Sequence, residues 1–154
     1  MRTGDVASAK QARRIKRENL GSTDAVRTYG VAEIISMTGA DRALLKSLEQ
    51  HGLVSPGDYF DDTEREVIKA AVELRAYGLE PRHLRTLRVA AEREAGLLEQ
   101  VLATGLKSAN PDRRQEALDS LESLAALASH VRHLMLVQEL RHLVNSLPSS
   151  QEIA

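Results

Sequence analysis

The order of patterns in residues 29–91 constrains the fold more than any other feature of the chain. Two short helix patterns, a tight turn, a short aromatic edge and two further helix patterns follow one another there without a long linker. Apolar residues recur at helical spacing over most of the chain, and alternating β-branched runs are almost absent. Hydrophobic residues make up 42% of the chain but Phe, Trp and Tyr only 3%, so Leu, Val, Ile and Ala must build the core. The sequence therefore predicts a mainly α fold.

Cap and stop signals set the bounds of the first two helices. The first helix is expected over Val31–Met37, followed by Thr38 and by Gly39 as its stop. Asp41 is a suitable N-cap for the second helix, and Gly52 suits a left-handed stop after it. The second helix directs three leucines toward the core, namely Leu44, Leu45 and Leu48. These signals predict two helices joined by a tight turn.

A small wing is expected after the second helix. The Ser-Pro-Gly sequence of residues 55–57 is a turn signal, and Tyr59–Phe60 forms the return edge of the wing. Asp61 or Asp62 then caps a third helix that runs to about Tyr77. This order is typical of a winged helix-turn-helix, a fold that places its second helix in the major groove of DNA.

The C-terminal part of the chain reads as two long helices. Pro81 suits the first turn of a helix that reaches about Thr104. Asn110–Pro111 opens a final helix that extends to Ser146, roughly 36 residues or about 54 Å at 1.5 Å per residue. The apolar stripe of such a helix needs a partner, either the stretch Leu87–Leu106 or the same helix of a second subunit.

The charge distribution divides the chain unevenly. Residues 1–30 hold seven Lys/Arg and three Asp/Glu, a net charge of +4, whereas residues 31–154 carry −5. We expect residues 1–27 to be a flexible basic arm or linker that either touches DNA phosphates or is a solvated tail. The remaining regions are a winged helix-turn-helix over 28–90, a helical hairpin or dimerisation region over 91–147 and a disordered tail over 148–154. The cations of the arm that are candidates for DNA contact are Arg13, Arg14, Lys16 and Arg17.

The segment Thr38–Leu53 (TGADRALLKSLEQHGL) resembles the DNA-binding signature of MerR-family regulators, in which a Thr-Gly precedes the recognition helix and a Gly-Leu follows it. Tyr59–Asp62 (YFDD) looks like the exit of that family's wing, and Ala76–Leu84 (AYGLEPRHL) like the turn and helix that follow. More narrowly, Gly78–Arg85 and Ala91–Gln100 look like the C-terminal half of actinobacterial MerR-like regulators. In those proteins a second, winged-helix-like domain is thought to take an effector or a partner.

The resemblance implies a dimeric, DNA-binding transcriptional regulator with a long C-terminal dimerisation helix. Lys46 stands where the family has an Arg and Ser47 where it has a Tyr, while Asp58 lies in the wing, which lacks the usual Arg. Because a wing carboxylate repels phosphates, an alternative is an effector-binding or protein-interaction domain that no longer reads bases. For direct binding, the candidate residues of the second helix are Arg42, Lys46 and Gln50.

A further set of cations opens the fourth helix. The candidate residues for binding an anionic effector are Arg82, His83 and Arg85. The alternative is that they form a solvated face and pair with Glu92 and Glu94 on the same helix. The chain contains no cysteine, phosphate-binding loop or nucleophile motif, so we expect neither an enzyme nor a cofactor or metal site. No stretch has the length of a membrane span or the apolar core of a signal peptide, so a cytoplasmic protein is expected.

Overall fold

The computed structural model describes residues 27–148. The described part contains five helices and two very short strands, which confirms the mainly α fold. It falls into two compact units, residues 27–97 and 98–148, which divide within the fourth helix. In chain order the elements are β1 (Tyr29–Gly30), α1 (Val31–Thr38), α2 (Arg42–Gln50), β2 (Tyr59–Phe60), α3 (Asp62–Arg75), α4 (Pro81–Leu106) and α5 (Pro111–Asn145).

The turn between α1 and α2 forms as its local signals predict. Gly39 adopts a left-handed conformation with φ of 75° and donates its N–H to the carbonyl of Ile35. The carboxylate of Asp41 accepts the backbone N–H of Leu44 at 2.7 Å and so caps α2. Gly52, with φ of 70°, follows the end of α2. The structure therefore confirms Gly39 as the stop of α1, Asp41 as the N-cap of α2 and Gly52 as the stop after α2.

Caps also define the longer helices. Of the two predicted candidates, Asp61 caps α3 and forms a reciprocal capping box with Glu64. Pro81 begins α4, which ends two residues beyond the predicted Thr104. The side chain of Asn110 accepts backbone N–H groups at the start of α5, whose length of 35 residues is close to the prediction.

β2 lies at the predicted return edge of the wing, but its partner strand lies before α1 and not before the 55–57 turn. β2 pairs antiparallel with β1, so that Phe60 lies opposite Tyr29 and Tyr59 lies opposite Gly30. The residues before the turn, Leu53 and Val54, form no strand; Val54 is buried in the core instead. Strands of two residues are too short to show alternation, so their pairing depends on tertiary contacts.

One hydrophobic core holds the 27–97 unit together. Leucines of α2 pack there with Ile34 of α1, Ile68 and Ala71 of α3, and Leu84 of α4. Ile34, Leu48 and Ile68 are fully excluded from solvent. The three predicted inward leucines are confirmed, and they orient α2 so that its opposite face is exposed.

The 98–148 unit brings the end of α4 against the start of α5. A methyl group added at Gly105 would lie 2.7 Å from Cβ of Ala117, so a side chain larger than hydrogen would force the helices apart there. Ala117 and Ala125 are buried, but eight large apolar residues of α5 between Leu127 and Val144 are 48–62% exposed. None of the helices in residues 27–148 combines the length and apolar character needed to cross a bilayer.

Candidate nucleic-acid interface

The exposed face of α2 carries the three predicted contact residues of this helix. Arg42, Lys46 and Gln50 follow one another at intervals of four residues and are all exposed. Residues at this spacing lie on the same side of a helix. The buried leucines fix the rotation of α2, so the core decides which side chains point outward.

A shallow cleft separates this face from the segment of residues 55–60, which we call the wing segment. The cleft has a volume of about 140 Å³, and we call it the α2–wing cleft. Val31, Leu45 and Phe60 provide its apolar lining. The polar side chains that line it are Arg42, Lys46, Glu49 and Asp58, together with the backbone of Gly57. The structure thus brings Asp58 to the predicted cations and adds Glu49, which was not among the predicted site residues.

The cations of the cleft differ from several others in the same unit. Arg27 lies 3.9 Å from Glu33, Arg65 lies 3.0 Å from Asp62 and Arg75 lies 3.1 Å from Asp41. Within residues 27–148, by contrast, neither Arg42 nor Lys46 forms an ion pair or a side-chain hydrogen bond. Their charges are therefore available to an anion from outside the chain.

A contact between helices anchors the start of α2. Arg75, the last residue of α3, donates a hydrogen bond to Oδ2 of Asp41 at 3.1 Å, while Oδ1 of Asp41 accepts the N–H of Leu44. The N–H of Leu44 and the guanidinium of Arg75 lower the pKa of the Asp41 carboxyl below its ordinary 3.8. This carboxylate therefore stabilises the fold in its charged form.

We expect Asp41→Asn to remove a pH-dependent part of the stability. Asparagine still caps a helix, but it cannot form the ion pair with Arg75. Because the pKa of Asp41 is lower in the folded than in the unfolded chain, its contribution is present above about pH 4 and lost as pH falls below 3.8. The difference in thermal midpoint between wild type and Asp41→Asn should therefore shrink from pH 7 to pH 3. Equal differences at both pH values would contradict this assignment, and Glu99→Gln, which removes an exposed carboxylate elsewhere, is the control.

Tyr29 connects the small sheet to the start of α3. Its hydroxyl donates to Oδ1 of Asp62 at 2.7 Å and accepts from Nη1 of Arg65 at 2.7 Å. The guanidinium groups of Arg27 and Arg65 lie 4.9 Å and 5.1 Å from the centre of its ring, and Tyr29 as a whole is 2% exposed. The hydrogen bond to Asp62, together with burial, raises the pKa of Tyr29, so the phenol stays neutral. No sequence signal pointed to this cluster, because Tyr29 and Asp62 are 33 residues apart.

Glu64 closes the wing segment against α3. Its Oε1 accepts the N–H of Ser55 at 2.6 Å, and its Oε2 accepts the N–H of Asp61 at 3.0 Å. A single side chain thus holds both ends of the loop that carries Asp58. The geometry of the α2–wing cleft is therefore built into the fold.

The other candidate residues lie apart from the cleft or outside the described part. Arg13, Arg14, Lys16 and Arg17 fall outside residues 27–148. At the start of α4, Arg82 lies 3.3 Å from Glu80, and Nδ1 of His83 accepts the N–H of Glu80 at 2.9 Å. Arg85 is exposed, and the nearby Arg88 pairs with Glu92 at 2.8 Å. An anion site on Arg82, His83 and Arg85 stays a prediction.

The chain is similar in sequence to known proteins and to a described protein family. Two relatives are HTH-type transcriptional regulators, Mb1859 of Mycobacterium bovis and Rv1828 of Mycobacterium tuberculosis. Each is 37% identical over 87 residues, which cover 55% of this chain and 35% of the relative, so the match spans about a third of those proteins. The family described as Rv1828-like, C-terminal domain, matches residues 27–144, and the chain belongs to it.

Proposed function

We propose that this chain is a transcriptional regulator of the MerR type that binds DNA through α2 and the wing segment as a homodimer. The observation that carries the proposal is the exposed pair Arg42 and Lys46, one turn apart and without an intrachain ion pair in the described residues. The two relatives named as transcriptional regulators support the same assignment.

The arrangement of α2 fits the way such folds dock on DNA. A recognition helix enters the major groove with its N-terminal residues toward the bases, while neighbouring segments contact the phosphates. Arg42 is the first residue of α2, and Lys46 lies one turn further along. Arg42 can donate two hydrogen bonds to a guanine or a phosphate, whereas Lys46 supplies a single charge.

The acidic side chains of the cleft favour a second candidate function. Residues 27–97 contain ten Lys/Arg and twelve Asp/Glu, a net charge of −2. Glu49 and Asp58 line the same cleft as the two cations. The second candidate is a domain of the same fold that binds an effector or another protein. Its anion-binding residues would be Arg82, His83 and Arg85, and such a domain needs no basic face for DNA.

The dependence of DNA binding on salt distinguishes the two functions. We would titrate the chain onto a fluorescent duplex of promoter DNA and measure anisotropy from about 50 mM to about 200 mM salt. For a DNA-binding regulator, the logarithm of the association constant falls linearly with the logarithm of the salt concentration. An absence of binding at the lowest salt favours the effector or interaction domain.

The exposed apolar stripe of α5 supports the homodimer. Val137, Leu140 and Val144 are spaced by three and four residues, the interval of a coiled-coil seam. Val at one core position and Leu at the other favour two-stranded coiled coils. Leu140 is 49% exposed and Val144 is 62% exposed. A second copy of α5 would cover this stripe.

Charges placed in the seam are expected to separate the dimer. We predict that Leu140→Glu/Val144→Glu is monomeric by light scattering at concentrations where the wild-type chain is dimeric, because two desolvated carboxylates would face their counterparts. Circular dichroism should remain helical, since both side chains are exposed in the single chain. Gln138→Glu/Asn145→Asp adds the same charge to the opposite side of α5 and should stay dimeric. The proposed dimer contact along α5 would be refuted if the wild-type chain were monomeric, or if light scattering gave the same mass for both double variants.

A further inference from the structure

We infer that Asp58 restrains the affinity of the α2–wing cleft for phosphate and thereby sets the strength of sequence-independent DNA binding. The inference rests on the proposed contact between DNA and the cations of the cleft. Asp58 lines the same cleft of about 140 Å³ as Arg42 and Lys46. Because these side chains line one small cleft, their positive and negative charges act together on one incoming anion.

The fold holds Asp58 in this place. The loop that carries it is tied at one end by the contact between Glu64 and the N–H of Ser55, and at the other by the contact between Glu64 and the N–H of Asp61. The next residue, Tyr59, belongs to β2 and pairs with Gly30. The backbone of Asp58 therefore cannot withdraw from the cleft without breaking these contacts.

The charge of Asp58 is not engaged by the chain itself. Within residues 27–148 it forms neither an ion pair nor a side-chain hydrogen bond. Glu49 is a second carboxylate at the same cleft, so a phosphate there meets two positive and two negative side chains. Non-specific DNA affinity arises almost wholly from the neutralisation of phosphates. Asp58 lowers this general attraction, so that stable binding depends on contacts with the bases or on a second subunit.

The experiment compares Asp58→Asn, Asp58→Glu and the wild-type chain on a short duplex of mixed sequence. Glu99→Gln is the matched control, because it removes one exposed carboxylate of the second compact unit. We expect Asp58→Asn to bind roughly two- to fivefold more tightly at about 50 mM salt, with a smaller gain at about 200 mM. Asp58→Glu and Glu99→Gln should bind like the wild-type chain.

The outcomes separate this inference from the proposed function. Tighter DNA binding by Asp58→Asn than by the wild-type chain supports the inference. If Asp58→Asn binds DNA and the wild-type chain does not, the inference still holds, and only DNA binding by the native chain is rejected. Equal affinities for Asp58→Asn and Glu99→Gln overturn the inference, whether or not the wild-type chain binds. Thermal unfolding of each variant tests whether the fold is intact. We expect unchanged midpoints for the Asp58 variants, because Asp58 is exposed and its side chain forms no hydrogen bond within residues 27–148.

Discussion

Replacing Leu48 by alanine is expected to lower the free energy of unfolding by about 3 kcal/mol. Leu48 lies on the inner side of α2, is 0% exposed and packs in the core of the 27–97 unit. The substitution removes buried apolar surface and leaves a cavity that α1 and α3 can fill only in part. A loss of this size is a large fraction of the stability of an ordinary domain.

Urea unfolding followed by circular dichroism measures this effect. Leu97→Ala is the control in the same unit, because it makes the same chemical change at a side chain that is 59% exposed. We expect the control to change the free energy of unfolding by no more than about 0.5 kcal/mol. Similar losses for both variants would show that α2 does not pack on the core as described.

Removing both cations of the α2–wing cleft is expected to weaken DNA binding roughly tenfold or more at low salt. Arg42 and Lys46 are exposed and have no intrachain ion pair in the described residues, so Arg42→Ala/Lys46→Ala breaks no contact that stabilises the fold. Each lost phosphate contact also reduces the salt dependence of the association constant by about 0.9 in a log–log plot. The double variant should therefore show a slope shallower by about 1.8.

The matched control is Arg93→Ala/Lys107→Ala. It removes two exposed cations that do not line the cleft, so the net charge of the chain changes equally. Fluorescence anisotropy on one promoter duplex compares both variants with the wild-type chain. If the two double variants lose equal affinity, the interaction reflects overall charge and the cleft is not the interface. If neither loses affinity, α2 does not contact DNA.

These two variants test different consequences of the same helix. Leu48 faces the core and Arg42 faces solvent, although both belong to α2. A change at Leu48 alters the packing of α2 on the core and therefore the free energy of unfolding. A change at Arg42 or Lys46 alters only the charge on the exposed face of α2. Measurement of stability and DNA affinity for each variant therefore separates a positioning effect from a contact effect.

Local signals in the sequence were sufficient wherever the physical cause lies within a few residues. A carboxylate at position 41 accepts an N–H three residues later, and a glycine at position 39 reaches a left-handed conformation at little cost. Asn110 and Pro111 define the start of α5 in the same way. Leucine spacing likewise identified the buried side of α2, because the helical period fixes which residues share a side.

The sequence alone therefore determined the helices, the residue at which each begins and the exposed cations of α2, since each follows from interactions over one or two turns. The ends of α3 and α4 differ by two residues from the predicted Tyr77 and Thr104. Only the tertiary structure decided that Tyr29 holds Asp62, that Arg75 reaches Asp41 and that β1 pairs with β2. It also decided that Asp58 and Glu49 share a cleft with Arg42 and Lys46. These contacts join residues far apart in the chain, and they form because burying one common core brings those elements together.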